Sequence, residues 1–299
     1  MRYFLVFSLF VFLSFLYGNS VAQETVEAHQ YGSKIDVFIG NRLFTSYITS
    51  HEEKYPFFFP VNGPSGASVT SMRNSNYPHH SSLFFGCDHL NGGNFWQEGL
   101  ERGQIVSIRA DILETGGDRV VIENECIWTR PGAMAPIRDI RTITISARSA
   151  GLYVIDFDIV MEMLEDVTIS RTNHSLFSGR MAADLTVLNG GTMINAEGKS
   201  GEAETFGETS PWLSYYGERF GHTEGMTIMQ HPSNRWYPAP WFTRDYGFFS
   251  PTPLYWPEDP EKGTFLEKGE GVSLRYRVLI HRGDHLDADV AGEFERYAR

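Results

Sequence analysis

The sequence predicts an all-β protein, a large antiparallel β-sandwich with a short C-terminal helix. Two observations carry the prediction. Apolar and polar residues alternate with period two in five separate runs, while helical spacing is confined to the C-terminal end. Period-two alternation puts every second side chain on a core face and the rest in water, as in an antiparallel sheet with one solvated side.

In chain order the runs are Ile105–Leu113, Val120–Trp128, Arg141–Ser146, Tyr153–Val160 and Val272–Ile280. Gly116-Gly117, Ser149-Ala-Gly151 and Asn189-Gly-Gly191 mark turns between extended segments. Between Ser210 and Pro260 the chain is rich in Trp, Tyr, Pro and Gly. That composition predicts long loops over one sheet face, where binding residues tend to gather. Leu286, Val290, Phe294 and Tyr297 recur at near-helical spacing and predict a helix within His285–Arg299. No linker, low-complexity tract or internal repeat interrupts the chain. Residues 23–299 are therefore expected to form one domain, a size that β-sandwiches reach.

The first 22 residues have another character. Met1-Arg2 is followed by the apolar run Tyr3–Tyr17 and by Ser20-Val21-Ala22, a small-residue cleavage pattern. This is the pattern of a secretory signal peptide. The run is also short for a membrane span, which needs about 20 apolar residues. The mature chain is expected to be exported, to the periplasm or beyond, with no membrane insertion. With 25 Lys and Arg against 37 Asp and Glu, the net charge is −12. An acidic chain without basic clusters is a poor partner for nucleic acid. Cys87 and Cys126 are the two cysteines. An oxidising compartment permits one disulfide between them, but buried free thiols are the preferred reading.

Three segments hold the chemistry-bearing residues. Tyr77–Trp96 contains His79, His80, Asp88, His89, Asn94 and Trp96. A metal site is one reading of this density. Adjacent strand residues point to opposite faces, which separates His79 from His80, and no HExxH or CxxC pattern is present. The preferred reading has no metal and no cofactor: His80 does acid–base work, and His79 and Asn94 bind a polar ligand. The second segment, Ser170–Arg180, carries Asn173, His174 and Arg180. His174 fits a general acid, and Arg180 a fixed donor toward an oxygen that gains charge. The third, His231 to Phe249, carries His231, Trp241, Arg244 and Asp245. Trp96 and Trp241 are candidates for stacking on a sugar ring, with Arg244 and His231 bonding hydroxyls.

Several of these stretches occur together in a known family. They are Tyr55-Pro-Phe-Phe-Phe-Pro-Val-Asn-Gly-Pro-Ser-Gly66, Pro78-His-His80, Leu90-Asn-Gly-Gly-Asn-Phe-Trp96, Asn195-Ala-Glu-Gly198, Pro211-Trp212, His231-Pro-Ser-Asn234 and Arg244-Asp-Tyr-Gly247. With them the chain resembles the secreted bacterial family labelled PmoA-like or methane oxygenase. A membrane oxygenase subunit needs membrane-embedded helices, and no such stretch follows residue 22. Members of the family accompany carbohydrate-degrading and sugar-oxidising enzymes, so the resemblance implies a role on glycans. Thr172-Asn-His-Ser-Leu-Phe177 is similar to the Asn-His-x-Tyr-Phe motif of aldose 1-epimerases. His80 with Asn91-Gly-Gly-Asn-Phe-Trp96 is loosely similar to their earlier histidine–glycine segment. This second resemblance implies a galactose mutarotase-like supersandwich with His174 as general acid. The epimerase base is a glutamate near the C-terminal end. Asp245 is its nearest counterpart by position here, ahead of Glu258 and Glu270.

Together these readings predict a secreted carbohydrate-active protein. Proton-transfer chemistry at a sugar would rest on His174, Asp245 and His80. The alternatives are a glycan-binding protein without activity on the same fold, and a metal-dependent oxidoreductase as the family label suggests.

Overall fold

The computed structural model describes residues 24–97 and 99–299. The expected leader, residues 1–22, lies outside them. Two eight-stranded antiparallel sheets make up the body. The first runs, in spatial order, Val26–Tyr31, Lys34–Ile39, Arg42–Ile48, Phe57–Val61, Leu83–Cys87, Ser175–Arg180, Phe248–Pro251, Trp241–Thr243. The second runs Thr192–Asn195, Trp212–Arg219, His222–Gln230, Gly271–Arg282, Leu152–Met163, Ile137–Ser149, Arg119–Thr129, Gln104–Glu114. The inner faces meet through aromatic rings. Phe177 lies 5.2 Å from Phe157 and 4.7 Å from Tyr276, and Tyr215 lies 5.7 Å from Phe249. Such pairs bind the two layers by apolar burial and by ring geometry.

All five predicted strands belong to the second sheet, and the reason is burial. Ile137–Ser149 and Arg119–Thr129 alternate buried and half-buried positions along most of their length, because one face of that sheet is open. In the first sheet Leu83–Cys87, Ser175–Arg180 and Phe248–Pro251 are buried at every residue. Both faces are covered there, so no alternation exists to be read. The second sheet buries a charge on its inner face: Arg141, fully buried, donates from Nε to Asp139 Oδ1 at 2.7 Å. Trp128 Nε1 donates to the other carboxylate oxygen at 2.6 Å. Cys87 and Cys126 are free and buried.

The C-terminal helix spans Val290–Tyr297, shorter than its spacing suggested. Asp289 takes a left-handed conformation and ends the turn before it. Leu286 therefore falls outside the helix and is exposed. Val290 and Tyr297, with Phe294 packed beside them, cover Val154, Trp212, Met229 and Leu279 on the outer face of the second sheet. No helix among the described residues is long and apolar enough to cross a membrane. A separate hairpin, Met72–Asn74 with Tyr77–Ser81, belongs to neither large sheet. It lies against the outer face of the first sheet, where the His80 ring packs on Phe248 at 4.6 Å.

Candidate functional site

Strand register creates the central feature. Ser175 pairs with Cys87, so the next residues, His174 and Asp88, face each other where the two strands end. The Asp88 N–H donates to the His174 carbonyl at 3.1 Å. Their side chains meet too, with His174 Nδ1 2.7 Å from Asp88 Oδ2. The Thr172 hydroxyl donates to Asp88 Oδ1, and its oxygen accepts the His174 N–H at 2.9 Å. Asp88 is 1 % exposed and the His174 side chain 24 %. An ionised carboxylate only accepts, so Nδ1 carries the proton in this contact and Nε2 is left for a ligand. The Gln97 amide is 3.4 Å from the same Nδ1, too long to compete with the carboxylate.

His174 packs on residues that line an open cleft of about 560 Å³. The cleft is bounded by His79, Trp96, Gln97, Tyr55, Glu52 and Glu53. The His174 and Trp96 rings stack at 5.5 Å, and His79 lies 6.0 Å from His174. Burial, then the neighbouring His174 and Arg180, lower the His79 pKa and hold its imidazole neutral. Glu53 is engaged in an ion pair with Arg73.

The adjacent histidines differ in exposure, but their rings are not separated as expected: they meet edge to face at 4.5 Å. His79 lines the cleft, while His80 is buried between Tyr77 at 5.1 Å and Phe248 at 4.6 Å. Burial first, then His79 and Arg180, push the His80 pKa down to about 2. His80 is thus a neutral residue packed between rings, which does not suit it to the acid–base work expected of it. Next along the row, Tyr77 stacks on Tyr246 at 4.3 Å, and the Arg180 guanidinium lies 5.0 and 4.5 Å from those two rings. Arg180 is 5 % exposed, and its Nε and Nη1 have no partner among the described residues. Burial lowers its pKa, and the groups acting on it are Tyr246, Tyr77 and Tyr215.

Other expected site residues have different surroundings. Trp96 is fully buried, with its ring against His174 and Phe84, so it supports the histidine and offers no open face. Trp241 is a core residue whose Nε1 donates to the Ser210 carbonyl at 2.8 Å. Asn94 Oδ1 accepts the N–H groups of Trp96 and Gln97 at 3.0 and 2.9 Å, which shapes the turn that carries them. Asn173 is half-buried immediately before His174. Asp245 and Arg244 are tied to Glu202. Asp245 Oδ1 accepts the Glu202 N–H at 2.8 Å, and Arg244 Nη1 donates to Glu202 Oε1 at 3.1 Å. No bond joins the Asp245 carboxylate to His174; its contacts with Glu202 hold the turn. His231 bonds Ser233 Oγ at 2.7 Å, accepts from Arg275 at 3.1 Å and packs on Tyr297 of the C-terminal helix. These are contacts of the second sheet, away from the cleft. Among the described residues no group of three or more His, Cys, Asp and Glu is placed to hold a metal ion.

Sequence reasoning weighed Asp88 only as a metal ligand and missed it as the partner of His174. It also left out Thr172 and Tyr77. The Asp88–His174 contact joins residues 86 apart, and no local pattern announces it.

Solved structures similar to the chain include an Escherichia coli K12 protein provisionally described as an aldose 1-epimerase. Identity is 10 %, with 87 % of this chain and 99 % of that one covered and a TM-score of 0.36. A polysaccharide lyase is similar at 14 % identity, 89 % and 33 % coverage and a TM-score of 0.34. A heparan sulfate lyase from Pedobacter heparinus follows at 9 % identity, 84 % and 30 % coverage and a TM-score of 0.32. The chain spans about a third of each lyase, and similarity at these scores carries no argument about activity. No curated protein matches the chain. Residues 34–295 match a family of unknown function, DUF6807, and the chain belongs to that family.

Proposed function

We propose that this protein acts on a carbohydrate by proton transfer, with His174 giving and taking the proton. The observation that supports this most is the buried Asp88 carboxylate holding His174 by Nδ1, which leaves Nε2 free on a partly exposed ring packed against Trp96 and His79, two residues that line the cleft. A carboxylate in that position orients the imidazole and stabilises its protonated form. His79, neutral and 6.0 Å away, lines the cleft and is the second proton-carrying side chain. The similarity of Thr172–Phe177 to the aldose 1-epimerase motif supports the same assignment.

In this reading protonated His174 donates from Nε2 to the sugar ring oxygen as the C1–O5 bond breaks. His79 takes the O1 proton, and the O1–H electrons form the C1=O double bond. Ring closure on the other face reverses both transfers and gives the second anomer. Each histidine ends the cycle in its starting state, so no further reactant is required. The reading includes an exported mature chain, which N-terminal sequencing of the secreted protein tests.

The functional test is anomer exchange measured by NMR on a panel of reducing sugars, with His174→Ala beside the wild type. Loss of a general acid–base residue lowers turnover by about 10² to 10⁴-fold. The variant should keep the wild-type circular dichroism. A variant with undiminished turnover removes His174 from the mechanism. Binding of a sugar without exchange leaves a glycan-binding protein.

A further inference from the structure

Twelve buried side-chain nitrogen and oxygen atoms among the described residues lack a hydrogen-bond partner. Four of them lie in this one region: His80 Nδ1, Trp96 Nε1, and Arg180 Nε and Nη1. Two more, Ser175 Oγ and Ser178 Oγ, are on the strand that carries Arg180. Buried polar atoms are normally satisfied, so such a concentration calls for missing partners. Indole and guanidinium nitrogens donate and never accept. The partners they lack are therefore acceptors.

Charge narrows the choice. Elsewhere in the protein buried arginines face carboxylates, as Arg141 faces Asp139 and Arg219 faces Glu224. Arg180 has no ion pair among the described residues; its neighbours are the rings of Tyr77 and Tyr246. Aromatic faces offset only part of the cost of a desolvated cation. Tyr77 belongs to the hairpin that stands outside the two large sheets. One buried cation without an ion pair among the described residues, in a chain of net charge −12, suits a single anionic group and not a polyanion.

We propose that the site takes an acidic sugar, and that Arg180 receives the anionic oxygens of its carboxylate or sulfate. This rests on the carbohydrate reading above and names the substrate class within it.

The test is isothermal titration of the mature chain with D-galactose and D-glucose, their uronates and their 6-sulfates, at one ionic strength. The wild type should bind a uronate or a sulfate about tenfold to a hundredfold tighter than its neutral parent, the effect of a charge-assisted hydrogen bond. The tighter of the two acids identifies the anion. Arg180→Gln should bring the ratio of acid to parent close to one. Should that variant melt early, Arg180→Lys, which keeps the charge and loses the planar donors, should still reduce the ratio. A neutral parent that binds as tightly as both acids overturns the proposal and leaves the sugar reading standing. Equal losses for acid and parent in the variant overturn it as well. If no sugar of either kind binds, both readings fall together.

Discussion

Asp88→Asn is the sharpest perturbation of the site, because it removes a charge and almost no volume. The native carboxylate takes one hydrogen bond from Thr172 and one from His174, the latter at 2.7 Å. At 1 % exposure water cannot replace either. A hydrogen bond to a charged group contributes about 1.5–3 kcal/mol. For a chain of this size that corresponds to a fall in Tm of roughly 3–12 °C. The catalytic effect should be larger. With Thr172 donating to the new amide oxygen, the amide NH2 faces His174 Nδ1. That nitrogen must then accept, and the proton of the neutral ring moves to Nε2. Nε2 can then no longer take a proton, and turnover should fall by about 10² to 10⁴-fold. Two measurements check this. Anomer exchange reads the rate, and ¹⁵N NMR of the His174 ring reads the tautomer without any substrate. An Asp88→Asn protein with turnover within twofold of the wild type and an unchanged tautomer would refute the reasoning.

Asp245→Asn separates a turn residue from a base. It should cost about 0.5–1.5 kcal/mol through the Glu202 N–H bond, measured by urea unfolding, and leave turnover unchanged. Loss of turnover at full stability would restore Asp245 as the base. Trp241→Phe should lower stability by about 1–3 kcal/mol, through lost packing and the Ser210 bond, and leave sugar affinity as it was in titration. Stability should also fall in acid. His80 and His281 have folded pKa values near 2 and 4, below the ordinary 6.5. Each takes up a proton on unfolding and not while folded, so its stabilisation is complete above pH 6.5 and is lost as pH drops below it. Between pH 6.5 and about 4 each contributes a slope of about 1.4 kcal/mol per pH unit. His80→Phe should remove one such slope in melts at pH 7, 6 and 5, and an unchanged slope would contradict the buried neutral state of His80.

Alternation in Ile137–Ser149 or Leu152–Met163 is a local property, visible wherever one face of a strand meets water. That made the fold class and one sheet legible in the residues alone. The first sheet was not, since its central strands are covered on both sides and show no alternation to read. The same covering creates the site, because the hairpin and loops that hide those strands also bring His79, Trp96 and Gln97 over them. Residue type by itself points to His174 and Arg180. Trp241, Arg244 and His231 have the same appearance in the sequence, yet their partners are the core, Glu202 and the C-terminal helix. Side-chain chemistry is written residue by residue, whereas partnership depends on register between strands far apart in the chain. A shift of one residue in the Ser175–Cys87 pairing would part His174 from Asp88. Only the folded sheet settles that pairing, and with it which histidine is held by a buried carboxylate.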